Sequence, residues 1–220
     1  HLYCISDYNY SFYSSSSISF FISVSFSLDA AILSSSGVKS NSFLVISTAS
    51  GKPGSISSIS SIVSILSESL SIFFSRGVLE TVKKLRWAPD IIHCQGWISQ
   101  VLPIYLKKAC IDDPIFSNSK VVLSLYNDTP GVEFPADFKD KILFGGVTEN
   151  DVTLLEQPTG TNLAKLAANY SDAIVFGSDN IPQELMDYCN GLGLPVLPYN
   201  AAAMEDGSYI EDYNNFYDQL

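Results

Sequence analysis

Residues 76–220 predict an α/β fold, a parallel sheet with helices on both faces, and two observations carry that prediction. The first is periodicity. From Arg76 onward, short apolar runs of strand length alternate with stretches whose apolar residues recur at helical spacing, and such alternation specifies parallel strands joined by right-handed crossovers. The second is composition. Residues 1–75 contain 27 Ser and 5 charged residues, whereas residues 76–220 contain 7 Ser and 30 charged residues, so the regular pattern begins at a seam.

Each element has its own signal. Phe74, Val78, Val82 and Leu85 place an apolar stripe on a helix. Lys83, Lys84 and Arg86 fall in its last turn, where cations suit the negative end of the helix dipole, and Pro89 stops it. Asp90–His93 is then a short buried strand, and Gly96-Trp97 opens a helix carrying Val101, Ile104, Tyr105 and Lys108. After a loop around Pro114, Val121–Tyr126 is a strand and Asn127–Gly131 a turn cluster. A helix over Asn162–Tyr170 shows Leu163, Leu166, Ala167 and Tyr170 on one stripe, and Ala173–Phe176 is the next strand. Ser178-Asp-Asn caps a helix with Pro182 early in it and Gly191 near its C-terminal end, before a last short strand at Val196–Tyr199. Glu205, Asp206, Glu211, Asp212 and Asp218 read as a solvated acidic surface.

Residues 1–75 follow different rules. Val24, Phe26 and Leu28 alternate with Ser23, Ser25 and Ser27 at strand spacing and Asp29 interrupts the run, so neither a membrane span nor a signal peptide is predicted. Ile56, Ile59, Ile62, Leu66 and Leu70 fall at helical spacing. Gly51-Lys-Pro-Gly54 lacks the frame of a phosphate-binding loop and reads as a turn. Codons for Asp and Glu begin with GA, so the strand opposite an acidic coding stretch is rich in TC and reads out as Ser, Ile, Phe and Leu. On that ground, and from the initial His1, residues 1–75 are expected to be a gene-model artefact, with a genuine Ser-rich extension as the alternative.

The formal charge is −11, with ten basic against twenty acidic side chains in residues 76–220. A polyanion needs a basic face, so this balance argues against nucleic-acid binding and points to a neutral partner. Cys4, Cys94, Cys110 and Cys189 are scattered, without a CxxC pair, and the chain has two histidines. No metal site and no cofactor is therefore expected, and sparse unpaired thiols fit a reducing, cytoplasmic setting. The N-x-[ST] triplets at Asn9, Asn127 and Asn169 are then chance matches.

Ligands of a parallel α/β sheet meet the carboxyl ends of its strands, here His93, Tyr126-Asn127 and Gly177-Ser178. His93, closing an apolar strand, admits two readings: a ligand-facing imidazole, or a side chain that bonds a neighbouring backbone group. Trp97 serves either as core or as a platform for a sugar ring. Cys94 has no basic neighbour in sequence that would make it a nucleophile.

The stretch RGVLETVKKLRWAPDIIHCQGW, the Val-Leu-Ser-Leu-Tyr-Asn strand, SDAIVFGS and the tail YNNFYDQL resemble the N-terminal catalytic domain of bacterial glycogen and starch synthases. The resemblance covers about residues 72–220 and is nearest to short single-domain members from Bacteroidetes. It implies a Rossmann-like domain, the N-terminal half of a two-domain glycosyltransferase of the GT-B type. Such enzymes move glucose, with retention, from ADP-glucose to the non-reducing end of an α-1,4-glucan. The family's H-x-H-D-W motif falls on His93-Cys94-Gln95-Gly96-Trp97, with Gln95 at the second His and Gly96 at the Asp. A Gln can hydrogen-bond a sugar hydroxyl but carries neither proton nor positive charge. The family's His-Asn pair at the next strand end stands here as Tyr126-Asn127. The resemblance thus implies His93, Gln95, Trp97 and Asn127 as sugar-binding residues. Its Lys-x-Gly-Gly-Leu motif, which holds the nucleotide's phosphates, does not occur, and a second Rossmann domain would need about 150–200 further residues. ADP-glucose and an α-glucan are the implied partners, with a donor domain supplied separately. The alternative is an inactive lone N-terminal domain that binds glucan or a partner protein.

Overall fold

The computed structural model describes the backbone of residues 56–128 and 133–220 and the side chains from Glu68 onward; the strand-spaced run at Val24–Leu28, the turn at Gly51–Gly54 and Cys4 lie outside the described residues. Among the described residues, four parallel strands, β1 (Ile91–Gln95), β2 (Lys120–Leu125), β3 (Ala173–Phe176) and β4 (Val196–Leu197), form one sheet in chain order. His93 lies opposite Val122, Gln95 opposite Ser124 and Leu125 opposite Phe176.

Because spatial order equals chain order, right-handed crossovers send the connecting helices to one face. Side-chain alternation records the result. Cys94, Leu123, Leu125, Ile174 and Phe176 pack into the large core with the helical stretch after β1, with α4 (Gly160–Asn169) and with α5 (Gln183–Gly191). That helical stretch is 3-10 over Trp97–Val101, α over α2 (Leu102–Ile104) and π over Tyr105–Ala109. Val122, Ala173 and Val175 point the other way, into a smaller cluster closed by Phe216 and Tyr217 of α7 (Tyr209–Tyr217). Among the described residues, helices thus cover both faces unevenly: the connections take one, and α7 takes the other.

At the amino edge of the sheet, Asp172 accepts from the Val121 backbone N–H at 2.7 Å and from Lys107 Nζ at 2.6 Å. This clamp fixes how β3 enters the sheet beside β2.

The helical spacing at Ile56–Leu70 and the stripe at Phe74–Leu85 join in one helix, α1 (Ile56–Leu85), which crosses the composition seam without a break. Leu79 and Val82 enter the core, and Ser71 Oγ donates to the Ile98 carbonyl at 2.9 Å. Glu68, also buried, pairs with Lys141 after α3 (Phe138–Ile142) brings that lysine alongside. The helix ends at Arg86, whose φ of 52° is a left-handed cap, three residues before Pro89.

Four elements lie outside the sequence expectations: α3, the 3-10 segment Glu149–Glu156, α6 (Ala201–Asp206) and α7. The helix expected to be capped by Ser178-Asp-Asn starts later, with Pro182 as its N-cap. Among the described residues no helix is long and apolar enough to cross a membrane, and no group of three His, Cys, Asp or Glu could hold a metal ion.

Candidate functional site

β1 and β2 run parallel and adjacent, so the segments leaving them, Gln95-Gly96-Trp97 and Tyr126-Asn127-Asp128, share one edge of the sheet. Gln95 and Trp97 are half-buried and Asn127 is exposed. Trp97 packs partly on the core, its indole 6.2 Å from the Phe134 ring, which leaves the rest of it at the rim.

His93 sits two residues short of this edge, on the sheet face that α7 covers, and is 8% exposed. Its Nε2 lies 2.7 Å from Ser124 Oγ and its Nδ1 2.6 Å from the Tyr217 hydroxyl. Gln95 Nε2 approaches the same Nδ1 at 3.2 Å. An amide NH2 can only donate, so Nδ1 accepts, from Tyr217 and from Gln95, and Nε2–H donates to Ser124. Tyr213 and Tyr217 flank the ring, each with its centroid 5.8 Å away. Burial brings the imidazole pKa down to about 3, so the ring is neutral at ordinary pH. The imidazole therefore supports Gln95 from behind, with both ring nitrogens engaged inside the protein.

Neighbouring groups complete the rim. A Cβ on Gly177, at the end of β3, would lie 2.2 Å from Cε1 of Tyr126, so the tyrosine ring lies across this glycine. Gly177→Ala is expected to push the ring aside and cost about 1–3 kcal/mol, measured by urea unfolding. An unchanged midpoint would mean that the ring moves freely. Cys94, on the opposite sheet face, is fully buried and burial raises its thiol to about 12, which leaves no thiolate for chemistry.

Chemically, the described strand-end segments offer amides, an indole and hydroxyls, with Asp128 and Asp179 as their charged groups and no Lys or Arg. The nearby cations lie elsewhere, Lys107 at the amino edge with Asp172 and Lys108 with Asp151. Such a rim suits an uncharged polyhydroxylated ligand better than a diphosphate.

Two parts of the site escaped the sequence reading. Tyr217 and Tyr213 lie in a tail whose acidic residues suggested solvent, although Tyr209, Tyr213 and Tyr217 recur every four residues as one helix face does. Ser124 looked like an ordinary strand serine, and nothing local announced its partner 31 residues away.

Comparison with known proteins adds to this geometry. A family model described as the starch synthase catalytic domain matches residues 67–197. A glycogen synthase of Clostridium perfringens is 35% identical over 152 residues, which are 67% of this chain and 32% of the relative. Glycogen synthase 2 of Geobacter metallireducens is 34% identical over 127 residues, 56% of this chain and 25% of the relative. A glycogen synthase of Chlorobium limicola reaches 48% over 56 residues, 26% of this chain and 12% of the relative. The chain thus spans about a third or less of the length of these curated relatives. No solved structure matches it.

Proposed function

Because the chain belongs to the starch synthase catalytic-domain family, we propose that its sheet forms the glucan-facing half of a glucosyltransferase that moves glucose from ADP-glucose to an α-1,4-glucan. The observation that carries this reading is the meeting of two amides and an indole at one rim. Gln95 ends β1, Trp97 follows it, and Asn127 leaves the neighbouring strand, so two amides and an indole stand where sugar hydroxyls and a sugar face could meet them. His93 acts from behind Gln95 rather than on the sugar.

A separate donor-binding domain belongs to the same proposal. It is supported by the strand-end segments, whose charged groups among the described residues are Asp128 and Asp179 and which would need cations from elsewhere to hold a diphosphate. The division into a Ser-rich segment, residues 1–75, and a folded unit, residues 76–220, rests on composition, with α1 bridging the two. The narrower kinship with short single-domain Bacteroidetes members rests on the RGVLETVKKLRWAPDIIHCQGW block. A reducing, cytoplasmic setting is supported by Cys94, Cys110 and Cys189, all free and buried.

A second reading, glucan or partner binding without transfer, is favoured by one observation. The histidine of the motif is neutral and internally bonded, and Gln95 cannot carry a proton.

Calorimetric titration of the chain with maltoheptaose tests the rim. Binding is expected, weakened about tenfold in Trp97→Ala by loss of the stacking face. A parent chain with no affinity for maltoheptaose, or a Trp97→Ala variant that binds equally well, would remove the glucan-facing assignment.

A further inference from the structure

We infer that Asp128, in the segment leaving β2, is the positioning residue of the sugar rim, its carboxylate holding the turn at Gly96-Trp97. The inference rests on the glucan-facing reading above.

Three observations meet at one oxygen. Asp128 Oδ2 accepts the Trp97 backbone N–H at 3.0 Å. The same Oδ2 lies 3.2 Å from where a Cβ on Gly96 would be, so the Asp128 carboxylate stands against the space a side chain at 96 would enter. Gly96 has φ 75° and ψ 156°, backbone open essentially to glycine alone, so this turn cannot take the aspartate of the motif without changing shape. The residue types agree with the geometry: position 96 offers no side chain, and position 128 presents a carboxylate to the same turn.

The contact also answers a local need. Trp97 begins a helical stretch that runs to Ala109, and its N–H is one of the donors that no preceding turn satisfies. Gly96 offers no side chain to cap it. A carboxylate there pairs the donor and suits the positive end of the helix dipole. From within, Ser99 closes the same turn, its N–H donating to the Gly96 carbonyl at 3.1 Å and its hydroxyl reaching the carbonyls of Gln95 and Gly96 at 3.0 and 2.8 Å. Asp128 closes it from across the sheet.

The consequence is a fixed spacing. Trp97 is held from one strand end by the residue next to Asn127 on the other, so the indole and the amide that would grip a sugar are tied through a single carboxylate. Asp128 is exposed, so replacing it empties no core.

The test compares Asp128→Ala with Asp128→Asn by amide hydrogen exchange at Trp97, maltoheptaose titration and thermal melting. In Asp128→Ala the Trp97 amide should lose about tenfold or more of its protection and the maltoheptaose Kd should rise about five- to tenfold. The melting midpoint should stay within about 3 °C. Asp128→Asn keeps a carbonyl acceptor of the same shape and should restore both to within about twofold. Unchanged protection and affinity in Asp128→Ala would overturn the inference, as would a loss that Asp128→Asn fails to rescue. If the parent chain does not bind maltoheptaose, the glucan-facing reading falls, and Trp97 exchange still decides whether Asp128 holds the turn.

Discussion

His93→Ala is expected to lower the unfolding free energy by about 3–5 kcal/mol, a large share of what a domain of this size possesses. The imidazole is buried and bonded at both nitrogens, so truncation leaves a cavity and removes a hydrogen-bond partner from buried Ser124 and from the Tyr217 hydroxyl. In thermal melting this corresponds to a fall of roughly 10 °C. A variant that melts within about 2 °C of the parent would show that the imidazole is not structural.

The same ring sets a pH dependence. In the unfolded chain it takes up a proton near pH 6.5, whereas burial in the folded chain brings the pKa down to about 3. The unfolded state therefore binds more protons between these values. Stability from His93 is complete above the upper value and drains away as pH falls toward the lower, about 5 kcal/mol over the whole interval. Asp151, whose carboxyl Lys108 holds well below the usual range, adds acid sensitivity only below about pH 4. Between about pH 6.5 and 4.5 the slope should belong to the histidine, and His93→Gln should flatten it in a series of urea titrations.

The second large effect concerns transfer. Assayed alone for ADP release from ADP-glucose with glycogen as acceptor, the chain should turn over at least about a thousandfold more slowly than a two-domain synthase. A leaving diphosphate needs cationic groups aimed at it, and the described ends of the four strands present Asp128 and Asp179 instead. Transfer also needs donor and acceptor held between two closing bodies, which one sheet edge does not provide. Robust turnover by the chain, abolished in Gln95→Ala or Trp97→Ala, would overturn this expectation and make the edge a complete active site.

How much of this was legible in the sequence depended on the range of the interaction. β2 and β3 could be read because strands buried on both faces are continuous apolar runs, Val121-Val-Leu and Ala173-Ile-Val-Phe176. The helix after β1 was legible in its stripe, but not in its passage from 3-10 through α to π, which periodicity does not resolve. α7 was missed because Glu211 and Asp212 within it and Asp218 at its C-cap read as solvated surface, although Phe216 and Tyr217 of the same helix are buried against the sheet. His93 was legible as a residue of interest and ambiguous in role. The deciding partners come from β2 and from α7, 31 and 124 residues away, and no local pattern encodes such a meeting. Asp128 was hidden in the same way, since its partner is a backbone N–H on another strand's loop.

Among the described residues the second sheet face is covered by α7, and this has a consequence for the order of assembly. The first face can collapse as the chain emerges, since its helices lie between the strands they cover. Among the described residues, the buried cover over Val122, Ala173 and Val175 comes from Phe216 and Tyr217, which are made after the strands. During that interval a nascent chain shows a flat apolar face to its surroundings, the kind of surface that captures chaperones or other nascent chains. The bond from Tyr217 to His93, spanning 124 residues, thus closes this face only after all four strands have been made.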